Sequence, residues 1–185
     1  MMQETAQKAD LMDFWRQRFN FGNAELKACQ QVKREDFIPR NLRLAAYEDM
    51  PLPLLRGKTI SQPTTVMIMT SALQLERGDK VFEIGTGSGY QAAIIANIVG
   101  QKGKVITTEV VPELVHLSRE NLKKAKINNV IVNTSCLRRP PLLTIQIRPA
   151  TANGMKPMYA NSKILLIMFS LPTTESMTPI IIKSP

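Results

Sequence analysis

Residues Lys80–Gln91 read K-V-F-E-I-G-T-G-S-G-Y-Q. A short apolar run enters Gly85, Gly87 and Gly89, which alternate with the small hydroxyl residues Thr86 and Ser88. Glycine is costly in folding entropy and is kept where a Cβ does not fit or the backbone turns left-handed. Lys80–Ile84 therefore reads as a buried strand, and Gly89–Ile98 as a helix with Tyr90, Ala93, Ile94 and Ile98 on one face. The loop between them is expected to turn its N–H groups and the helix N-terminus outward, toward a ligand.

Outward from this loop the pattern repeats. Gly100 is the expected C-terminal cap of the helix. Lys104–Thr108 reads as a second strand ending at Glu109, and Asn129–Val132 as a third. Between them Pro112–Lys126 reads as a helix with Leu114, Leu117, Leu122 and Ala125 inward. Its Lys123, Lys124 and Lys126 suit the negative end of the helix dipole. Strand, helix, strand, helix, strand predicts an α/β fold with a parallel sheet and right-handed crossovers. Upstream, Leu11–Asn20 and Asn23–Val32 read as helices, with Asn23 as an N-cap. Ala45–Lys58 contains three helix breakers and is expected to be irregular. Pro63 opens a helix whose apolar side includes Val66, Met67, Met69, Ala72 and Leu73, and Arg77-Gly78-Asp79 is a turn.

At 185 residues, 44% apolar and 21% charged, the chain has the make-up of one soluble globular domain with a real core. Met1–Phe14 carries Glu4, Lys8, Asp10 and Asp13, so it does not read as a signal peptide. The longest apolar run, Ile164–Phe169, is too short to span a bilayer. Cys29, Cys136 and the lone His116 form neither a disulfide framework nor a metal-ligand pattern, so a reducing cytoplasm and no metal are expected. The net charge of +9 is uneven. Residues 1–133 hold 18 Lys/Arg against 14 Asp/Glu, a net of +4, whereas residues 134–185 hold six Lys/Arg and only Glu175, a net of +5. Seven of the twelve prolines and a single glycine, Gly154, also fall in that last segment. The composition breaks near Asn133.

The spacing Gly85, Gly87, Gly89 is G-x-G-x-G, and a nicotinamide fingerprint would need its third glycine at Tyr90. Glu109 stands twenty-four residues after Gly85, at the end of the second strand. There a carboxylate can accept from both hydroxyls of a ribose, although a solvated strand-end carboxylate reads almost as well. Such a loop with a ribose-binding acid fits a nucleoside ligand without a pyrophosphate, and S-adenosylmethionine is the first candidate. Glu83, inside the first strand, needs donors if it is buried. Loop N–H groups or the ligand's ammonium could supply them.

Three further stretches, R-E-D-F-I-P (Arg34–Pro39), A-Y-E-D-M-P-L-P (Ala46–Pro53) and T-I-S-Q-P (Thr59–Pro63), join the loop stretch E-I-G-T-G-S-G-Y-Q-A-A (Glu83–Ala93) in giving the reading its substrate. With V-P-E-L (Val111–Leu114) and R-E-N-L (Arg119–Leu122), they resemble the protein-L-isoaspartate O-methyltransferases over residues 9–132. The resemblance implies the Rossmann-like sheet of S-adenosylmethionine-dependent methyltransferases, with a helical N-terminal extension. It implies methylation of isoaspartyl carboxylates in aged proteins, the first step of their repair. A carboxylate is already a nucleophile at neutral pH, so the expected work is in-line positioning without a base or metal. By resemblance Ser61 is the active-site residue, orienting the substrate carboxylate, and Thr59 and Ile60 line the cleft beside the cofactor. Glu83, Gly85, Thr86, Gly87, Ser88, Gly89 and Glu109 would hold the cofactor. Ser61 reads equally as an N-cap for the helix at Pro63. Arg34, Glu35 and Asp36 read as a solvated turn, and Trp15 as a packing residue.

The chain also departs from the family's pattern. Leu54-Leu55-Arg56-Gly57-Lys58 replaces I-G-x-G-Q, placing a cation near the substrate entrance. Cys136 stands where an aspartate of a G-D-G segment is expected at the adenine end of the cofactor. Lys163–Ile167 and Leu171-Pro172 echo the family's fourth strand and following loop, with Ser162 in place of a preceding aspartate. The expected organisation is a methyltransferase part, 1–133, made of an extension (1–58) and a cofactor-binding core (80–133), then an atypical tail, 134–185. The tail reads as a diverged region supplying one strand, a basic appendage for an acidic partner or RNA, or the product of a reading-frame change. An incomplete tail is expected to leave the third strand with an exposed edge. No N-P-P-Y-type segment occurs, which disfavours nucleic-acid bases as substrate. An S-adenosylmethionine-binding protein without turnover, or with another substrate, is the alternative reading.

Overall fold

The structure is a computed structural model, and it describes residues 2–134, 162–166 and 181–182. Five strands form the main sheet: β3 (Lys80–Ile84), β4 (Lys104–Glu109), β5 (Val130–Thr134), β6 (Ser162–Leu166) and β7 (Ile181–Ile182). Their order across the sheet is β5-β4-β3-β6-β7. β3 pairs in parallel with β4 on one side and with β6 on the other, and β7 is antiparallel to β6. The chain thus runs to one side of β3, returns, and continues on the other side. This reversal is the topological switch point at which open α/β sheets bind ligands, outside the carboxyl ends of the strands. The strand expected at Lys163–Ile167 is present as β6. Cys136 and Leu171-Pro172 lie outside the described residues.

Helix α4 (Tyr90–Val99) and helix α5 (Pro112–Lys124) cross between the strands as expected. Gly100 ends α4 with φ 69°, a conformation that suits glycine. α4 is apolar nearly all round and is buried through almost its whole length, as a helix between layers must be. Its Ile95 and Val99 pack with Val81 and Val105 of the sheet, while Ile94 and Ile98 join the core made with the N-terminal helices. On α5 the inner positions are Leu114, Val115, Ser118 and Leu122, with Leu117 only half-buried.

The extension contains α1 (Met2–Arg18) and α2 (Asn23–Gln31), and α3 (Pro63–Ala72) follows it ahead of β3. α1 begins nine residues before the expected Leu11. That first part lacks apolar periodicity but is rich in Gln, Glu, Ala and Lys, which favour helix without any packing. The N-cap of α2 is Gly22 instead of Asn23. A Cβ at Gly22 would collide with the carboxylate of Glu25, which folds back over the cap from the N3 position. The stretch expected to be irregular holds a small antiparallel hairpin, β1 (Leu52–Pro53) with β2 (Thr59–Ile60). Two-residue strands that include a proline leave no alternation to read, so this pairing has no local signal.

Two expectations are corrected by the topology and packing. Among the described residues β5 is an outer strand, as expected for an incomplete tail, but the strand whose second neighbour comes from residues 162–166 is β3. Arg34, expected on a solvated turn, is wholly buried, and Glu35 and Asp36 beside it are half-buried.

Candidate cofactor cleft and active site

Two walls face each other at the carboxyl end of β3 across a cleft of about 300 Å³, part of it open to solvent. One wall is Thr59, Ile60 and Ser61, leaving the β1–β2 hairpin. The other is Glu83 at the end of β3 with Gly85, Thr86, Gly87 and Ser88 of the loop. Eight of the ten expected site residues therefore line one cleft. Gly89 and Glu109 are not among the residues lining it. Val66, Tyr90 and Gln91 complete the lining. Tyr90 and Gln91 read in the sequence only as motif and helix face. Their position directly after the third glycine, in the first turn of α4, is the signal that places them in the lining.

The loop uses its own N–H groups, contrary to the outward orientation expected. The Gly85 and Thr86 N–H groups donate to the Thr108 carbonyl at 2.8 and 3.0 Å, and that of Gly89 donates to the Thr86 carbonyl at 2.9 Å. The Gly87 N–H donates to Glu109 Oε2 at 3.0 Å. The glycines serve different ends. Gly87 (φ 55°) has open space where a Cβ would point, so its conformation is what requires glycine. At Gly89 (φ 86°) a Cβ would stand 3.3 Å from Leu122 Cγ and 3.4 Å from Ser118 Cβ, so this glycine lets α4 approach α5.

Glu109 is nearly buried and accepts from three backbone N–H groups: Gly87, Val110 at 2.8 Å and Val111 at 3.0 Å. Its carboxylate fixes the loop to the end of β4. Two carboxylate oxygens offer about four acceptor sites, which leaves about one for another donor.

Glu83 is 1% exposed, and its two oxygens are in unlike situations. Oε2 accepts from the Thr107 hydroxyl at 2.5 Å, and the Thr107 oxygen lies 2.7 Å from the Thr86 hydroxyl. Each hydroxyl has one proton, so Thr86 donates to Thr107 and Thr107 to Glu83. Oε1 has no partner. Burial pushes the carboxyl up to about 8, the Thr107 hydrogen bond opposes this, and the charge of Glu109 adds to it. Of the two donor sources open from the sequence, the bonded loop N–H groups are engaged elsewhere. A cationic ligand group in the cleft is the remaining one, and the free Oε1 suits an ammonium.

On the opposite wall, helix α3 starts with Gln62 as N-cap and no capping hydrogen bond from that side chain. The cap comes from a distance: Asp49 Oδ1 accepts from the Thr64 N–H at 2.8 Å. Ser61 is thus not the residue that caps α3. Trp15 is buried and donates from its indole nitrogen to the Thr64 hydroxyl at 2.7 Å, a packing and bracing role. At the hairpin tip Arg56 adopts φ 57° and reaches over to α5. Its Nε donates to Glu113 Oε1 at 2.9 Å, and its Nη2 contacts the same oxygen. The cation expected near the entrance therefore ties the hairpin tip to α5, and neither Arg56 nor Glu113 is among the residues lining the cleft.

A parallel sheet with this order, a glycine loop after its first strand and an acid after its second defines the Rossmann-like class of S-adenosylmethionine-dependent methyltransferases. The chain belongs to the protein-L-isoaspartate(D-aspartate) O-methyltransferase family, whose model matches residues 6–136. It is 53% identical over 106 residues to a protein-L-isoaspartate O-methyltransferase of Ignicoccus hospitalis, covering 57% of this chain and 50% of that one. A namesake from Methanothrix thermoacetophila is 48% identical over 105 residues, again 57% and 50% of the two chains. A solved protein-L-isoaspartate O-methyltransferase superposes with a TM-score of 0.61 at 27% identity, covering 69% of this chain and 41% of that one. A Plasmodium falciparum structure described as a beta-aspartate methyltransferase, in complex with S-adenosyl-L-homocysteine, gives 0.59 at 26% identity, covering 67% and 61%. The chain spans about half the length of the curated relatives it matches. Among the described residues no helix is long and apolar enough to cross a membrane.

Proposed function

We propose that this chain is an S-adenosylmethionine-dependent protein carboxyl methyltransferase acting on isoaspartyl residues of aged proteins. The observation that carries the reading is the unpartnered, buried Oε1 of Glu83, set in a cleft whose other wall is Thr59-Ile60-Ser61. S-adenosylmethionine, when bound, supplies an electrophilic methyl group on a sulfonium sulfur. Glu83 accepts from the ligand's ammonium, Gly85–Ser88 form the surface it lies on, and the remaining acceptor site of Glu109 takes a ribose hydroxyl. Gly89 acts indirectly, by letting the loop and α4 settle on α5. Ser61 donates its hydroxyl to the substrate carboxylate and orients it, while Thr59 and Ile60 shape the cleft and exclude water. The isoaspartyl carboxylate brings its own electron pair, so these residues position and do not need to move a proton.

In this reading residues 1–133 carry the methyltransferase part. The extension (1–58) together with T-I-S-Q-P builds the substrate wall, residues 80–133 build the cofactor wall, and residues 134–185 are an atypical basic tail that lends β6 and β7 to the sheet. A cytoplasmic location belongs to this reading and fits the sparse cysteines.

Two measurements test the reading. Titration calorimetry with S-adenosylhomocysteine is expected to show binding, and NADH none. Transfer of labelled methyl from S-adenosylmethionine should occur to an isoaspartyl peptide and not to its aspartyl isomer. Binding of NADH instead would overturn the cofactor assignment, and equal labelling of both peptides would overturn the substrate.

A further inference from the structure

Tyr90 begins on the glycine-loop wall and ends in the N-terminal extension. Its backbone opens α4 directly after Gly89, and its N–H donates to Ser88 Oγ at 3.3 Å. Ser88 and Tyr90 both line the cleft. The Tyr90 side chain reaches three residues of the extension. Its hydroxyl lies 3.6 Å from Cys29 Sγ of α2, within hydrogen-bonding reach of sulfur. The Phe37 ring stands 5.6 Å from its own, tilted by 59°. The guanidinium carbon of Arg34 lies 5.2 Å from its ring centroid, within the range of a cation–π contact. All four side chains are buried. Arg34 is held on its other side as well: its backbone N–H donates to the Tyr47 hydroxyl at 3.3 Å, and that hydroxyl donates to Glu35. Its Nε, Nη1 and Nη2 nevertheless lack a hydrogen-bond partner. Burying an ion in this way is costly, and an apolar side chain of similar size would avoid the cost. The ring of Tyr90 is the group that the charge engages.

We infer that Arg34 is a positioning residue for the cofactor: through the Tyr90 ring it holds the exit of the glycine loop in its binding shape and couples residues 29–37 to the cleft. The inference rests on the S-adenosylmethionine reading of that cleft. A loop already held in its bound shape loses less freedom when the ligand arrives, which raises affinity. Such coupling is reciprocal. If residues 29–37 favour the ligand, the ligand steadies those residues by the same factor. Cys29, Arg34 and Phe37 are not among the residues lining the cleft, so a direct contact with the ligand does not account for an effect on them.

The test uses the full chain and S-adenosylhomocysteine. Arg34→Met keeps the length of the side chain and removes its charge. By calorimetry its affinity per folded molecule should fall at least about fivefold. Tyr90→Phe keeps the ring face that Arg34 engages and should bind within about threefold of wild type. Hydrogen–deuterium exchange supplies a second readout. In the wild type, saturating ligand should slow exchange over residues 29–37 as well as over Gly85–Tyr90. In Arg34→Met the first effect should be lost and the second kept. Wild-type affinity in folded Arg34→Met overturns the inference. If that variant yields no folded protein, wild-type exchange over residues 29–37 that ligand leaves unchanged overturns it equally. So does a uniform slowing throughout the chain, which reports only the linkage of binding to global unfolding. A wild type that does not bind S-adenosylhomocysteine overturns the proposed function and this inference with it, whereas binding without the coupling overturns the inference alone.

Discussion

Replacing Glu83 by Gln separates the charge of the buried carboxyl from its shape. With its carboxyl at about 8, against an ordinary 4.5, the folded and unliganded chain binds this proton more tightly than the unfolded chain does. The contribution of Glu83 to stability is therefore unchanged below pH 4.5 and becomes a penalty as pH rises from 4.5 to 8, reaching roughly 5 kcal/mol. Glutamine keeps the volume and the acceptor for Thr107 and does not ionise. Wild type and Glu83→Gln should melt alike at pH 4 and below and diverge progressively as pH rises from 4.5 to 8, the variant becoming the more stable and the difference levelling off above pH 8. Cofactor binding runs the other way. An ammonium at Oε1 needs the carboxylate, so at pH 7 binding must expel about 0.9 proton, and almost none at pH 9. Calorimetry with S-adenosylhomocysteine in buffers of different ionisation enthalpy counts that proton directly. Glu83→Gln should release none and bind more weakly by about ten- to a hundredfold, the worth of a charge-assisted hydrogen bond of about 1.5–3 kcal/mol. Full affinity in Glu83→Gln, or binding at pH 7 without proton release, would refute the assignment of Oε1 to the ligand's ammonium.

Ser61→Ala should depress methyl transfer with little change in melting temperature or cofactor affinity, because Asp49 caps α3; a loss of stability equal to a lost cap would contradict this. Asp49→Ala, by contrast, removes the cap and should cost about 0.5–2 kcal/mol in a denaturant titration. Gly89→Ala places a Cβ at φ 86° and against Leu122, and should destabilise by about 1–2 kcal/mol or more, which thermal melts would detect. Arg56→Ala frees the hairpin tip from Glu113 and should speed cofactor release a few-fold at low ionic strength. Both side chains of that pair are well exposed, so the difference should vanish in stopped-flow measurements in 1 M salt.

What the sequence discloses about this fold is what is local. Strands β3 to β5 and helices α4 and α5 were legible because their apolar residues repeat at strand or helix period, with Gly85–Gly89 and Gly100 as punctuation. The position of the cleft followed from the loop lying between β3 and α4. The direction of the loop's hydrogen bonds did not, because the acceptors Thr108 and Glu109 arrive from β4, more than twenty residues away. Arg34 stands in K-R-E-D, which reads as solvent-facing; the buried Tyr90 ring beside its guanidinium and the Tyr47 hydroxyl that accepts from its N–H arrive from elsewhere in the chain. Asp49 carries no mark in its own neighbourhood that it caps a helix beginning fourteen residues later.

The electrostatics of the cleft depend on both kinds of information at once. Glu83 pairs in register with Thr107 of β4 on one side and with Leu165 of β6 on the other. The first pairing belongs to the well-matched part of the family pattern and supplies the hydroxyl that binds Oε2. The second comes from a segment where the chain has lost the aspartate expected at Ser162. A strand with neighbours on both sides is shielded from water along both edges, and that shielding contributes to the burial that lifts the Glu83 carboxyl. Weakening β6 would admit water beside Glu83 and lower its pKa toward the ordinary range. The proton release on cofactor binding would then fall from about 0.9 toward none at pH 7, even with every residue of the glycine loop intact. Proton counting on a chain carrying Ile164→Pro, which removes a backbone donor from β6, would show whether the tail strand governs the charge state of the cofactor site.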